Sequence, residues 1–176
     1  KSLELANQLR YAAFTALVYS DLAFISSRLK KFSKAIEYYK TCLELYKKTK
    51  ARMDIVQTMR RFGTTYYFAG KLELADAMLS EAGHSADLMN LREDLVKTNH
   101  YLGLIAIGQE SYLKAEDYLI RACRIQQNII NEMSDELRKI YLSNPARKRV
   151  FENTIAYYKK QKEPVPEEIT DSYKQF

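Results

Sequence analysis

Glycine and proline are scarce in this sequence of 176 residues, which contains 5 glycines and 3 prolines. An average protein has roughly 12% of these two residues together. A β-sandwich or β-barrel needs them at many turns, and a Rossmann or P-loop nucleotide site needs clustered glycines. The shortage argues against these folds and predicts an all-α protein.

Cysteine and long apolar runs are lacking as well. Cys42 and Cys123 are too few for a disulfide framework or a zinc site, and both stand among apolar residues. We therefore expect reduced core cysteines in a reducing compartment. No run reaches the roughly 18 apolar residues of a membrane span. These features favour a cytoplasmic protein, with the nucleus as the alternative location.

Motifs for catalysis or metal binding are missing from the sequence. It has two histidines, His84 and His100, and no HExxH, CxxC, GxSxG or Walker pattern. Carboxylate pairs such as Glu93-Asp94 are sequence neighbours, so they point to different sides of a helix. We expect no enzymatic activity, no catalytic residues, no metal site and no cofactor.

The net charge of +6 is unevenly distributed. Residues 28–50 carry 8 positive and 2 negative charges, and residues 144–162 carry 6 and 1, whereas residues 163–176 carry 1 and 4. Basic segments attract acidic peptides, nucleic acids or anionic membranes. The charge pattern therefore suggests an acidic partner.

Three segments repeat without gaps at a spacing of 40 residues. The matching small and large residues are Ala23, Gly63 and Gly103; Phe32, Leu72 and Tyr112; Ala35, Ala75 and Ala115; Tyr39, Leu79 and Leu119; Cys42, Ala82 and Ala122. This pattern predicts stacked helical hairpins that share a core. The predicted helices are 3–29 (one helix or two), 32–50, 52–69, 71–88, 90–109, 111–133, 135–142 and 145–162.

The second copy resembles a tetratricopeptide repeat (TPR) most closely. The residues that carry the resemblance are Phe62-Gly63, Tyr66, Gly70-Lys71-Leu72, Ala75, Leu79 and Ala82. The period is 40 rather than 34, and no proline closes a repeat, which is similar to long-repeat TPR-like proteins. The resemblance implies a right-handed α-α superhelix, a TPR-like solenoid, with a C-terminal capping helix.

The predicted organisation is a single helical domain over residues 1–162, with repeats at about 17–50, 57–90 and 97–130. Residues 134–162 do not repeat and are expected to cap the last apolar face. The tail 163–176 is polar, and we expect it to be loose or to dock elsewhere. The chain begins at Lys1, which leaves open that it is part of a longer chain or assembly.

The resemblance also implies a concave groove lined by the first helix of each hairpin. Its expected partner-binding residues are Arg28, Gln57, Arg60, Arg61, Thr64, Tyr67, Phe68, Lys97, His100 and Tyr101. Ser20, Phe24, Ser27, Leu104 and Ile107 occupy matching positions, some of which are also suited to the core between repeats. The implied function is a non-catalytic interaction module or scaffold that binds a peptide or partner subunit.

Three alternatives remain open from the sequence. The chain could be a scaffold subunit that contacts partners through its ends, for instance through the apolar segment Tyr11–Ile25. It could bind nucleic acid through segments 28–50 and 144–162, with Tyr157 and Tyr158 among the cations. It could also be a peptide-sensing switch. The secondary basic surface is predicted at Arg147, Lys148, Lys159 and Lys162.

Overall fold

The computed structural model describes the backbone of residues 2–176 and the side chains of Glu4 and residues 7–176. Across this part of the chain all regular structure is helical, which confirms the all-α prediction. The helices are α1 (Ser2–Arg28), α2 (Phe32–Thr49), α3 (Arg52–Phe68), α4 (Leu72–Leu88), α5 (Arg92–Gly108), α6 (Tyr112–Asn131), α7 (Asp135–Leu142), α8 (Pro145–Gln161) and α9 (Glu167–Tyr173). The eight predicted helices match α1 to α8 within two residues at each end, and α1 is one continuous helix.

The turn inside each hairpin repeats with the same 40-residue period. Lys30, Gly70 and Glu110 all have a positive φ, of 58°, 73° and 58°. The following amide bonds back across the turn, from Lys31 N to Ser26 O at 2.8 Å in the first hairpin. Lys71 and Ser111 make the same bond to Tyr66 and Ala106. This Schellman geometry ends the first helix and reverses the chain after one left-handed residue.

The chain divides into two compact units, Lys1–Asn90 and Leu91–Phe176. The first unit contains the hairpins α1–α2 and α3–α4. Its core includes a stack of three rings, with centroids 5.3 Å apart between Tyr39 and Phe62 and 4.5 Å apart between Phe62 and Tyr66. Cys42 is buried beside Thr58 as a free thiol.

The second unit contains the hairpin α5–α6 and the three C-terminal helices. Its core is formed by large side chains from several helices, among them Leu119, Ile130, Phe151 and Ile169. Helix α8 begins as the sequence predicts, because the Asn144 side chain accepts a hydrogen bond from Ala146 N at 3.0 Å and Pro145 takes the first helical position. This helix covers the end of the core.

One glycine in each unit allows two helices to approach closely. A Cβ atom at Gly63 would lie 2.6 Å from Leu79 Cγ, and one at Gly103 would lie 2.7 Å from Leu119 Cγ. Both distances are shorter than the non-bonded contacts that Cβ atoms make in proteins. The small residue that repeats in the sequence is therefore the point where α3 meets α4 and where α5 meets α6.

The C-terminal tail is ordered onto the second unit rather than loose. Its helix α9 buries Ile169, and the Phe176 ring lies 5.6 Å from the Phe151 ring, measured between centroids. Arg124 on α6 pairs with Glu168 at 3.0 Å. Ile169 and Tyr173 stand one turn apart on α9, and together with Phe176 beyond its end they pack against the core, which the polar composition of the tail obscured.

Candidate partner-binding surface

In the first unit, the predicted binding residues lie on α1 and α3. Two hydrogen bonds hold these helices side by side, from Arg61 Nη1 to Ser20 Oγ at 3.3 Å and from Thr65 Oγ1 to Ser27 Oγ at 3.0 Å. Each bond joins residues about one repeat apart. Positions on α1 therefore lie beside the equivalent positions on α3.

Arg61 is the best-defined cation on this surface. Besides its bond to Ser20, its guanidinium carbon lies 5.6 Å from the centre of the Phe24 ring. Phe24 is 48% exposed, so the ring beside the guanidinium faces solvent, and Arg61 itself is half-buried. A guanidinium that stacks on a ring uses its flat face, so the N–H groups along its edge can donate to a carboxylate.

Tyr67 and Phe68 follow at the end of α3 and contact each other edge to face, with ring centroids 5.3 Å apart. Phe68 is 52% exposed, whereas Tyr67 is partly buried and burial raises the pKa of its hydroxyl. Phe68 is therefore the better apolar anchor of the two. Gln57, Arg60 and Thr64 share this side of α3 and are half-buried.

In the second unit, His100 is not available on an open surface. It is 7% exposed, and Asn153 Nδ2 on α8 lies 2.8 Å from its Nε2 atom. Burial lowers the pKa of His100 to about 4, with a smaller contribution from the positive charge of Arg149. The expectation that His100 lines a groove is corrected, because helix α8 covers this side of α5.

The other two predicted residues of α5 are partly engaged within the unit. Lys97 Nζ lies 3.5 Å from Glu93, one helical turn earlier, and the Tyr101 ring lies 5.3 Å from that of His100. Glu93 also approaches Arg147 at 3.6 Å. Lys97 and Tyr101 remain half-exposed, and their role in partner binding stays a prediction.

The basic segment of α8 is used largely for internal contacts. The guanidinium of Arg147 stacks on Tyr141, with its carbon 3.6 Å from the ring centre, and Lys148 lies 5.1 Å from the Tyr173 ring. Lys159 and Lys162 are exposed at the end of the helix. The secondary basic surface is thus reduced to the C-terminal end of α8, because two of its four members hold neighbouring segments.

Tyr157 and Tyr158 are buried, which removes the aromatic half of the nucleic-acid hypothesis. They are 5% and 3% exposed, and their hydroxyls donate to Tyr112 O at 3.0 Å and to Glu116 Oε1 at 2.7 Å. A ring that stacks on a base must be accessible. These tyrosines fasten α8 to α6 instead.

Sequence reasoning did not find Asn153 or the docking of α9. Asn153 has no motif around it, and only the fold brings it to His100. The spacing of Ile169, Tyr173 and Phe176 is the signal that predicts α9 once the tail is read as a short helix.

The described residues contain neither a cluster suited to a metal ion nor a helix suited to a membrane. Within them, no group of three or more histidine, cysteine, aspartate or glutamate residues is placed to hold a metal ion. Among the same residues, no helix combines the length and the apolar character needed to cross a membrane.

Comparison with known proteins agrees with the fold. Residues 1–82 match the family model of the tetratricopeptide repeat. Among solved structures, the crystal structure of BtubC (BKLC) from P. vanneervenii is similar, with a TM-score of 0.66 and 18% sequence identity. The match covers 91% of this chain and 58% of that chain, so this chain spans little more than half of its length. A search of curated proteins gave no match.

Tetratricopeptide repeats generally act as protein–protein interaction modules and are typically non-catalytic. The family match lies over the first hairpin and most of the second, and the structural likeness extends over 91% of the chain. The 40-residue repeat, its helical hairpins and these matches agree with one another. Residues 1–82 are therefore similar to tetratricopeptide repeats, and the described part of the chain has an all-α fold of helical hairpins.

Proposed function

We propose that this protein binds an acidic segment of a partner protein on the α1–α3 surface, which we define as Phe24, Arg28, Arg60, Arg61 and Phe68. The observation that carries the proposal is the placement of Arg61 between Ser20 and the exposed Phe24 ring. This surface lies entirely within the first unit, which is also the part that matches the family model.

The residue types on this surface suit a peptide that carries both carboxylates and apolar side chains. Arginine binds carboxylates through two parallel N–H donors and is preorganised for this geometry. Aromatic residues and arginines are also the residues that contribute most at protein interfaces. Phe24 and Phe68 are both about half exposed, so each offers apolar area without unfolding the helix.

The test uses fluorescently labelled 15-residue peptides rich in glutamate and aspartate, each with two leucine or phenylalanine residues, and measures fluorescence anisotropy. We expect the double variant R60A/R61A, and separately Phe68→Ala, to weaken binding about tenfold or more. Thermal unfolding by circular dichroism checks that each variant is folded, since Arg61 also bonds to Ser20.

The matched control is K47A/K48A, which removes the same charge from the exposed end of α2. The affinity of this variant for the labelled peptides should differ from that of the wild type by less than about threefold, because Lys47 and Lys48 lie outside the α1–α3 surface. Equal weakening by both double variants would show a general charge effect and would contradict the proposal. Unchanged affinity in folded R60A/R61A would contradict it as well.

A further inference from the structure

A second, mainly apolar surface runs along α1 and into the turn that follows it, on a different side from Phe24. It consists of residues spaced three or four apart, which places them on one face of the helix. We call it the outer stripe: Tyr11, Phe14, Val18, Leu22, Ile25 and Leu29. Their exposed fractions range from 40% at Leu22 to 78% at Tyr11.

The opposite face of α1 explains why the outer stripe faces solvent. That face has small residues, and Ala16, Ser20, Ala23 and Ser26 are all buried. Ser20 lies against Arg61 of α3, and Ala16 belongs to a core cluster with Cys42 and Tyr46 of α2. The small face therefore meets the rest of the first unit, while the large apolar residues point away from it.

The area of the outer stripe is at the upper end of the range found on monomeric proteins. Taking about 150–230 Å² for a full side chain of these types, its six members expose roughly 600 Å². The largest apolar patch on a monomer is typically about 300–600 Å² and is often functional. Two such stripes would bury roughly 1,200 Å² together, which reaches the lower limit of specific protein interfaces.

The charges of α1 favour a second copy of this chain as the partner that binds the outer stripe. The described charged residues of this helix are Glu4, Arg10, Asp21 and Arg28, two of each sign. In an antiparallel pair centred near residue 16, Phe14 lies opposite Val18 of the other copy and Arg10 lies opposite Asp21. Arg10 and Asp21 are also on the same flank of the stripe, as a two-fold pair requires. A parallel pair would place the Arg10 and Asp21 flank of one copy on the side away from that of the other, so this pairing would be lost.

We propose that the protein self-associates through the outer stripe of α1, with the two copies of the helix antiparallel. The occupant of the stripe is a second copy of this chain, chosen by apolar area and by the Arg10–Asp21 complementarity. The α1–α3 surface is on another side of the helix, so a dimer leaves Phe24 and Arg61 accessible. The dimer would then present two binding surfaces at once.

The first test is sedimentation velocity of the full chain over a range from about 1 to 200 µM. We expect a reversible monomer–dimer equilibrium in this range, and a monomer at every concentration for Phe14→Glu and for Ile25→Glu. These side chains are 66% and 53% exposed, so both variants should keep the wild-type helix content and melting temperature. The matched control is Leu113→Glu on α6, which is 82% exposed and lies outside the stripe.

The second test is a charge swap that reports the direction of the helices. Arg10→Glu alone and Asp21→Arg alone should each weaken the dimer roughly threefold to tenfold, and R10E/D21R should restore it. A wild-type chain that stays monomeric at 200 µM would overturn the proposal. Dimers that persist in folded Phe14→Glu would overturn it as well. So would an R10E/D21R variant whose dimer is no more stable than those of the two single variants.

Discussion

Gly63 and Gly103 stand where a Cβ atom would overlap the branched carbon of a leucine on the facing helix. We expect Gly63→Ala and Gly103→Ala each to lower the free energy of unfolding by about 1–3 kcal/mol, because the leucine cannot withdraw without leaving its packed position. Urea unfolding followed by circular dichroism measures the change.

Gly108 offers a comparison for these two positions, since it is exposed at the last residue of α5. Gly108→Ala should be neutral or slightly stabilising, because alanine has the higher helix propensity. A stability loss at Gly108 equal to that at Gly103 would mean that backbone conformation, rather than helix contact, sets the cost.

His100 makes the stability of the protein depend on pH. Burial lowers its pKa from 6.5 to about 4, so between these values the unfolded chain binds a proton that the folded chain does not. The free energy of unfolding that depends on neutral His100 is fully present above pH 6.5. It decreases by up to about 3 kcal/mol as the pH falls towards 4. His100→Gln should flatten this part of the stability curve in urea titrations from pH 4 to 7.

His84 provides the control for that experiment, because it is exposed on α4. His84→Gln makes the same substitution outside the core and is compared with His100→Gln in the same urea titrations. If His84→Gln and His100→Gln had the same effect, the buried environment beneath Asn153 would not be the cause.

At the scale of the element, the hairpin turns carry a conformational strain that differs between copies. Gly70 adopts its positive φ without a side-chain clash, while Lys30 and Glu110 hold the same conformation with a Cβ atom. We expect Gly70→Ala to lower the free energy of unfolding by about 1 kcal/mol, and Glu110→Gly to leave it unchanged or raise it slightly. Thermal and urea unfolding would show this opposite sign, and a loss in both variants would contradict it.

The helices could be predicted from the sequence because their signals are local. The 40-residue register, the small residues at 23, 63 and 103, and the Asn144-Pro145 start together gave eight helices within two residues. Helix α9 escaped prediction because it has only seven residues and follows two prolines. Its stability comes from contacts of Ile169 and Phe176 with the rest of the unit, which no local pattern contains.

The binding surface was less predictable, because burial depends on how helices cover one another. The repeat predicted only that Phe24 and Arg61 occupy first helices of successive hairpins, and their contact is a finding of the structure. It could not show that α8 would cover His100 or that Tyr157 and Tyr158 would turn towards α6. Residues outside the repeat have no equivalent in earlier copies, so their partners depend on tertiary packing alone.

At the scale of the whole molecule, the chain consists of two compact units. The second unit has an extensive core of its own, with Leu119, Ile130, Phe151 and Ile169 at most 1% exposed. Arg92 at the start of α5 and Glu132 after the end of α6 also form a bidentate ion pair, with 2.6 Å between Nη1 and Oε1. We expect residues 91–176 expressed alone to be helical and to melt cooperatively.

Circular dichroism and the width of the thermal transition check this expectation. The same fragment with Phe151→Ala should lose about 3–5 kcal/mol, because a fully buried ring leaves a cavity at the centre of the core. A broad, weakly helical melt of the unaltered fragment would show that the second unit does not fold independently.

The close contact between Gly63 and Leu79 also has an evolutionary consequence. A residue with a Cβ atom in place of the glycine requires a facing side chain of a different shape, so the two sites should be inherited as a pair, as should Gly103 and Leu119. The first hairpin differs at both positions together, with Ala23 and Tyr39. Divergence among copies of this repeat should therefore proceed by coupled substitutions across the hairpin rather than by independent drift at single sites.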